Sequence, residues 1–219
     1  MGTIQVRRQA VLAAGEVVVE ASPVCLLSGA VELPDLGLRT MYLGPFDLVH
    51  FQQLANKAVS IPPGLRSRLF GVAVGSPGGG PVGTIDDFED PLQPLVNPVV
   101  IIKPQQWPPP ATISVWRRVL PEPAIQPGVT VDLLLREQEI RGKITAAPHH
   151  VSYLDPGHQV LAAQARFSAT IPATAHGAPV VAGDDREALL GMLISTETEA
   201  GISLTNIFPL AAACLAEAE

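Results

Sequence analysis

The sequence is short of the residue types on which several functions depend. Charged side chains make up only 16% of the 219 residues, and the formal net charge is −7. The basic residues fall in small, dispersed groups, Arg7–Arg8, Arg66 with Arg68, and Arg117–Arg118. Binding to phosphate backbones needs a concentrated basic surface, so a nucleic-acid partner is excluded. There are two cysteines, Cys25 and Cys214, and no CxxC pair, which excludes a thiolate zinc site. The two thiols are read as buried and reduced, with one long-range disulfide as the other reading. No apolar run reaches the ~18 residues that cross a bilayer as a helix. The stretch VRRQAVLAAGEVVVEAS joins a twin arginine to apolar residues, but Glu16 interrupts it, so no export signal is expected. Gly2 follows Met1, but Val6 stands where an acylation motif wants Ser or Thr. The expectation is a cytoplasmic protein without a membrane partner.

What the chain does have is apolar content, 47%, together with 22 prolines and 19 glycines. That composition is incompatible with disorder. The prolines and glycines are scattered between apolar runs, the pattern of many short strands joined by turns. EVVVEASPVCLLSG (residues 16–29) reads as extended with a break at Pro23. LFGVAVG and VGTIDDF flank the glycine-rich turn SPGGGP, and NPVVIIKP is a β-branched run bounded by prolines, the mark of a buried strand. FDLVHFQQLANKAV (residues 46–59) has a spacing closer to a short helix.

Residues 106–128 are dense in proline and read as an extended connector with one strand inside, dividing the chain into 1–105 and 129–219. Strand signals then return. In VTVDLLLRE, Val129, Val131, Leu133 and Leu135 share one face, with Thr130, Asp132 and Arg136 on the other. IRGKITAA, HHVSYL and VLAAQARFSAT follow, the last alternating Leu161, Ala163, Ala165 and Phe167 against Gln164 and Arg166. GAPVVAG, a turn at Asp184–Asp185, and ALLGMLIST come next. The chain closes with LTNIFPLAAACLAEAE, read as a helix capped near Thr205 or Asn206. About a dozen strands around a proline bridge predict an all-β chain of two barrels with a C-terminal helix.

The order of these segments resembles the trypsin-like (chymotrypsin-fold) serine peptidases, the compact bacterial members in particular. GAPVVAGDDREALLGMLIST is similar to that family's Gly-Asp-Ser-Gly-x-Pro-Val strand, turn and Val-Gly-hydrophobic strand. GISLTNIFPLAAACL is similar to its closing strand and helix, and IRGKITAA to its Gly-x-Val strand. In the first half, LVHFQQLANKAVSIPPG resembles the Leu-Thr-x-x-His-Val-Leu-Ala-Asn segment with its downstream Pro-Gly. VGTIDDFEDPLQPLVNPVVIIKP resembles the strand pair leading to an Asp-Ala-Ala-Ile run. The resemblance implies two six-stranded antiparallel barrels, 1–105 and 129–219, joined by 106–128.

Catalysis in that family needs a serine, a histidine to take its proton and an aspartate to orient the imidazole. Carried over by register, the histidine position holds Gln52, the aspartate position falls at or beside Asn97, and the nucleophile position holds His176. The residues before the nucleophile, normally Gly and Asp, are Thr174 and Ala175. Glutamine is not a base, and no hydroxyl stands at 176. The resemblance therefore implies a peptidase fold without an intact triad. The expected function is a binding or scaffold subunit that uses the old inter-barrel cleft, lined by Gln52, Thr174 and His176, for a protein or peptide partner or a second copy. The alternative is an active serine/threonine-type hydrolase in which His50 is the base and Thr174 the nucleophile.

Other residues offer chemistry on their own. His149, His150, His158 and His176, with Asp155 or Asp184, raise a metal site, but no ligand spacing is present and adjacent histidines on a strand face opposite ways. They are read as surface histidines, with no metal and no cofactor. The run DDFED (residues 86–90) lacks the spacing of a calcium loop and is read as a solvated acidic loop. Cys25 has no sequence-neighbouring partner for nucleophilic work and is read as a buried thiol.

Overall fold

A computed structural model describes residues 3–11, 17–36, 38–43, 73–75, 81–88, 100–109, 114–135, 138–153, 155–172, 175, 177–199, 201–211 and 214. Fourteen strands lie among these residues. The first six are β1 (Thr3–Val11), β2 (Val17–Leu33), β3 (Leu38–Leu43), β4 (Ala73–Gly75), β5 (Pro81–Phe88) and β6 (Val100–Pro104). They pair in the order β1-β4-β5-β6-β3-β2, and β2 returns to β1, which closes the sheet into a barrel. The last six are β9 (Thr130–Leu134), β10 (Glu139–Tyr153), β11 (Asp155–Phe167), β12 (Pro179–Ala182), β13 (Asp185–Glu199) and β14 (Ile202–Pro209). Their order is β12-β9-β10-β11-β14-β13, closed by β13 onto β12. Numbered within each barrel, both rings run first-second-third-sixth-fifth-fourth strand, so the two halves share one topology. All pairings within the rings are antiparallel.

The proline-rich segment carries two short strands where one was expected. β7 (Val115–Trp116) adds in parallel to β2, and β8 (Arg118–Val119) adds in parallel to β13. One residue, Arg117, separates the pairing to the first barrel from the pairing to the second. The Ala30 N–H donates to the Ser114 carbonyl at 2.9 Å, and the Leu120 N–H to the Leu189 carbonyl at 2.8 Å, extending each pairing.

Proline explains the irregularity in β2. The strand runs through Pro23 without ending, but the register against β1 shifts there, Ile4 facing Cys25 and Gln5 facing Pro23. A residue with no N–H cannot serve the ladder, and the slip accommodates it. IRGKITAA and HHVSYL, expected as separate strands, are one strand, β10, with register shifts between Ile144 and Ala146 and between Ala146 and His149. Asp86, Asp87 and Phe88 belong to β5, with Asp87 facing Ile101, so this part of DDFED is strand rather than loop.

The interior of the second barrel is filled by alternate residues of its strands, as small barrels require. Val131 and Leu133 of β9, Ile140 and Ile144 of β10, and Ala163, Ala165 and Phe167 of β11 form one buried cluster with Val180, Leu190, Leu193 and Ile207. Small alanines on β11 leave room for Phe167, and Gly142 leaves room on β10, since a Cβ there would overlap the Phe167 ring. Residues of opposite parity are buried as well. Val160, Ala162, Val181, Leu189, Met192, Ile194 and Phe208 form a second cluster with Val31 and Leu38 of the first barrel and Trp116 of the connector. This cluster is the inter-barrel interface, and it explains why GAPVVAG and ALLGMLIST are apolar at consecutive positions: both faces of these strands are covered.

The expected helix start near Thr205 and Asn206 is corrected. Both lie inside β14, whose burial alternates with Ser203, Thr205 and Ile207 inward and Ile202 and Leu204 outward. β-Branched residues and pairing to both β11 and β13 outweigh the local helical composition. Leu210, Ala211 and Cys214 have helical backbone, and Leu210 and Cys214 are buried in the interface cluster. No helix among the described residues is long and apolar enough to cross a membrane.

Candidate functional site

The segment that carries position 176 enters β12 through a tight turn, held at four points. The Ala175 N–H donates to the Pro172 carbonyl and the Ala178 N–H to the Ala175 carbonyl, each at 2.9 Å. The turn is tied to β13 by a reciprocal pair, Gly177 N–H to the Leu193 carbonyl at 2.8 Å and Leu193 N–H to the Ala178 carbonyl at 3.0 Å. Gly177 adopts φ of +81°, a left-handed conformation that a side chain disfavours, so a glycine is needed for the chain to reverse here. Ala175, 1% exposed, and Ala178, fully buried, place their methyl groups in the second barrel's core with Ile171.

Two consequences follow for chemistry. The position before 176, which holds an aspartate in the resembled family, places its side chain among Ile, Phe and Leu here, where a lone carboxylate is strongly disfavoured. The N–H groups of Ala175, Gly177 and Ala178 are all spent on protein carbonyls. In the resembled family the oxyanion donors are the N–H groups of the nucleophile and of the residue two before it, which by register are 176 and 174, both outside the described residues.

Below the turn, the barrel interior turns polar, a feature the sequence reading missed. Ser203 is fully buried; its hydroxyl donates to the Ala169 carbonyl at 2.9 Å and accepts from the Ile171 N–H at 3.2 Å. Thr205, also fully buried, donates its hydroxyl to the Ala165 carbonyl at 3.2 Å. Thr196 of β13, opposite Thr205, has a buried hydroxyl oxygen with no hydrogen-bond partner among the described residues. The alternation of ISLTNIFP carried this signal, because period 2 puts Ser203 and Thr205 on the face of Ile207, but the helical reading of the same residues concealed it.

The sequence-derived site residues Gln52, Asn97, Thr174 and His176, and the alternative base His50, lie outside the described residues. So does the helix expected over residues 46–59. His149 and His150 are both exposed on β10, and the His149 Nδ1 lies 2.8 Å from the Ala147 carbonyl oxygen. Among the described residues no three His, Cys, Asp or Glu side chains gather as a metal site. Asp184 is exposed in the turn before β13.

A buried carboxylate does occur elsewhere in the second barrel. Asp132, assigned by alternation to an outer polar face, is fully buried and takes a two-pronged contact from Arg141 on the neighbouring strand. Arg141 Nε lies 2.9 Å from Oδ1 and Nη2 3.0 Å from Oδ2. The Arg141 hydrogen bonds hold the Asp132 carboxyl below its ordinary value, against the opposing effect of burial. With Arg186–Glu139 at 2.7 Å and Arg118–Asp185 at 2.6 Å, it belongs to a set of cross-strand ion pairs on the barrel's outside.

No protein-family model matches the sequence, and no curated protein matches it. Solved structures do. The chain is similar to a glutamic-acid-specific serine protease that uses a histidine triad in substrate binding, with 15% identity and a TM-score of 0.57 over 88% of this chain and 90% of that one. It is similar to the Nocardiopsis protease NAPase, with 13% identity and a TM-score of 0.53 over 88% and 89%. It is also similar to an alpha-lytic protease homologue, with 16% identity and a TM-score of 0.51 over 97% and 96%. Likeness at these identities establishes the fold, the chymotrypsin-like pair of β-barrels.

Proposed function

We propose that this chymotrypsin-fold chain has lost peptidase chemistry and acts as a binding subunit, taking an extended peptide or protein segment in the cleft between its barrels. The observation that carries this reading is the occupancy of the triad positions, Gln52, Asn97 and His176. Gln52 takes no proton, Asn97 carries no charge, and a histidine at 176 brings no hydroxyl to acylate. A cleft between two barrels outlives its triad, and an extended segment can still pair with a strand edge. Partners, in this reading, are proteins or peptides, with self-association included, and the protein is cytoplasmic without cofactor or metal.

A second reading has one specific observation behind it. The similar solved structures are proteases, and one is specific for glutamic acid. Under it, Thr174 is the nucleophile and His50 the base. Incubation with a defined peptide mixture, followed by mass spectrometry of bound and free fractions, separates the two. The binding reading expects peptides recovered whole from the bound fraction. Cleavage products that disappear in Thr174→Ala would replace it with the hydrolase reading.

A further inference from the structure

Away from the cleft, one charged cluster is built more closely than a surface ion pair requires. Glu32, near the end of β2, is 13% exposed and accepts three hydrogen bonds. Arg39 Nε of β3 donates to its Oε1 at 3.1 Å, Arg117 Nε to its Oε2 at 3.2 Å, and the Trp107 indole N–H to Oε1 at 3.2 Å. The Arg39 guanidinium also lies 5.8 Å from the centroid of the Trp107 ring. Burial pushes the Glu32 carboxyl up, but the hydrogen bonds from Arg117 and Trp107 and the two guanidinium charges outweigh it, so it sits below its ordinary value and is ionised at neutral pH.

Among the described residues, the outer half of each arginine is unused. Both spend Nε on Glu32, while their side chains are 63% and 74% exposed. Among the described residues their Nη groups carry no further hydrogen bond or ion pair. Among the described residues, one carboxylate against two guanidiniums leaves one positive charge uncompensated. The next charge along the connector, Arg118, is itself paired with Asp185 at 2.6 Å.

We propose that Arg39 and Arg117, set in place by Glu32 and Trp107, form a receptor for an oxyanion, a carboxylate or a phosphate group, on the connector side of the first barrel. A guanidinium presents paired donors that match the oxygens of either group. An arginine ordinarily loses side-chain entropy on binding, and anchoring by Nε removes much of that loss beforehand. The site is made by the connector and two strands of one barrel, and it does not depend on how the cleft functions.

Two tryptophans make the test direct, since Trp107 touches the cluster and Trp116 is buried at the interface as an internal control. Proton–nitrogen spectra of the full chain are recorded at constant ionic strength while sodium phosphate replaces sodium chloride, and in a second series while hexaglutamate replaces hexaglutamine. The expected result is saturable movement of the Arg39 and Arg117 Nε–H signals and of the Trp107 indole, with Trp116 unmoved. Arg39→Lys and Arg117→Lys keep the charge and the fold but lose the fork, and each weakens binding by about tenfold. Saturation by phosphate alone assigns a free anion, and saturation by hexaglutamate assigns a protein side-chain carboxylate. Movement that never saturates in either series, or that persists unchanged in both lysine variants, overturns the proposal.

Discussion

Two single residues can be tested without touching the cleft. Gly177 holds its turn with φ of +81°, and any L side chain there costs about 1–2 kcal/mol. Gly177→Ala is expected to remain folded and to lose that amount in a urea titration; an unchanged midpoint would show that the reversal does not need the left-handed conformation. Asp132 tests the buried ion pair. Its carboxyl is held below the ordinary range by Arg141, so the unfolded chain takes up the proton first as the solution is acidified. The pair therefore contributes stability fully above about pH 4 and loses it progressively below that, toward the lower folded-state value. Asp132→Asn is expected to be less stable at pH 7 by about 1–2 kcal/mol, at the modest end because Arg141 stays largely in water, and to show a flatter acid limb. A variant with the parent's acid limb would remove Asp132 from the account of acid stability.

At the scale of strands, the most demanding contact is between β13 and β14. Gly191 faces Pro209, and a Cβ at 191 would overlap the Phe208 carbonyl oxygen, which is backbone and cannot swing aside. Gly191→Ala is expected to destabilise by about 3 kcal/mol, read as a loss of cooperative thermal unfolding near the parent's Tm; normal unfolding would mean the strands can separate at that point. The same pair of strands shows what the sequence could reveal. β9 and β11 were legible because polar residues, Asp132 in one and Gln164 and Arg166 in the other, alternate with the barrel-facing Val131 and Leu133 and Ala163, Ala165 and Phe167, although Val160 and Ala162 also meet the other barrel. β12 and β13 gave no period, because Val181, Leu189 and Met192 meet the other barrel while Val180, Leu190 and Leu193 fill their own. Only the Gly-x-Pro-Val and Leu-Gly-Met order marked them as strands. β14 was misread because Ser203 and Thr205, polar but inward, weaken its alternation, and the apolar residues after Pro209 extend a helical composition backwards. The buried Asp132 was hidden for a related reason: its cover comes from Arg141, nine residues away and across a strand pair.

At the scale of the whole molecule, the two barrels share a core. Trp116 and Val31 lie in one cluster with Val181, Leu189, Met192 and Phe208, so a barrel on its own presents that surface to water. Residues 129–219 produced alone are expected to bind a hydrophobic dye and unfold without a sharp transition, whereas the full chain unfolds in one step. A soluble, cooperatively folding fragment would show that the interface is dispensable. The fold was legible from segment order; the cleft chemistry proposed above rests on the identity of Gln52, Asn97 and His176 alone, since no composition or period encodes a triad whose members meet only in space.

The central claim, a peptidase fold without peptidase chemistry, meets its most direct test in an active-site-directed fluorophosphonate. The reagent phosphonylates no amide and no resting hydroxyl; it forms an O–P bond and expels fluoride only at an activated oxygen nucleophile beside an oxyanion site. The intact mass of the purified chain after prolonged incubation is predicted to equal that of the untreated chain. A stoichiometric adduct on one hydroxyl, Thr174 above all, would contradict the account and establish an active hydrolase.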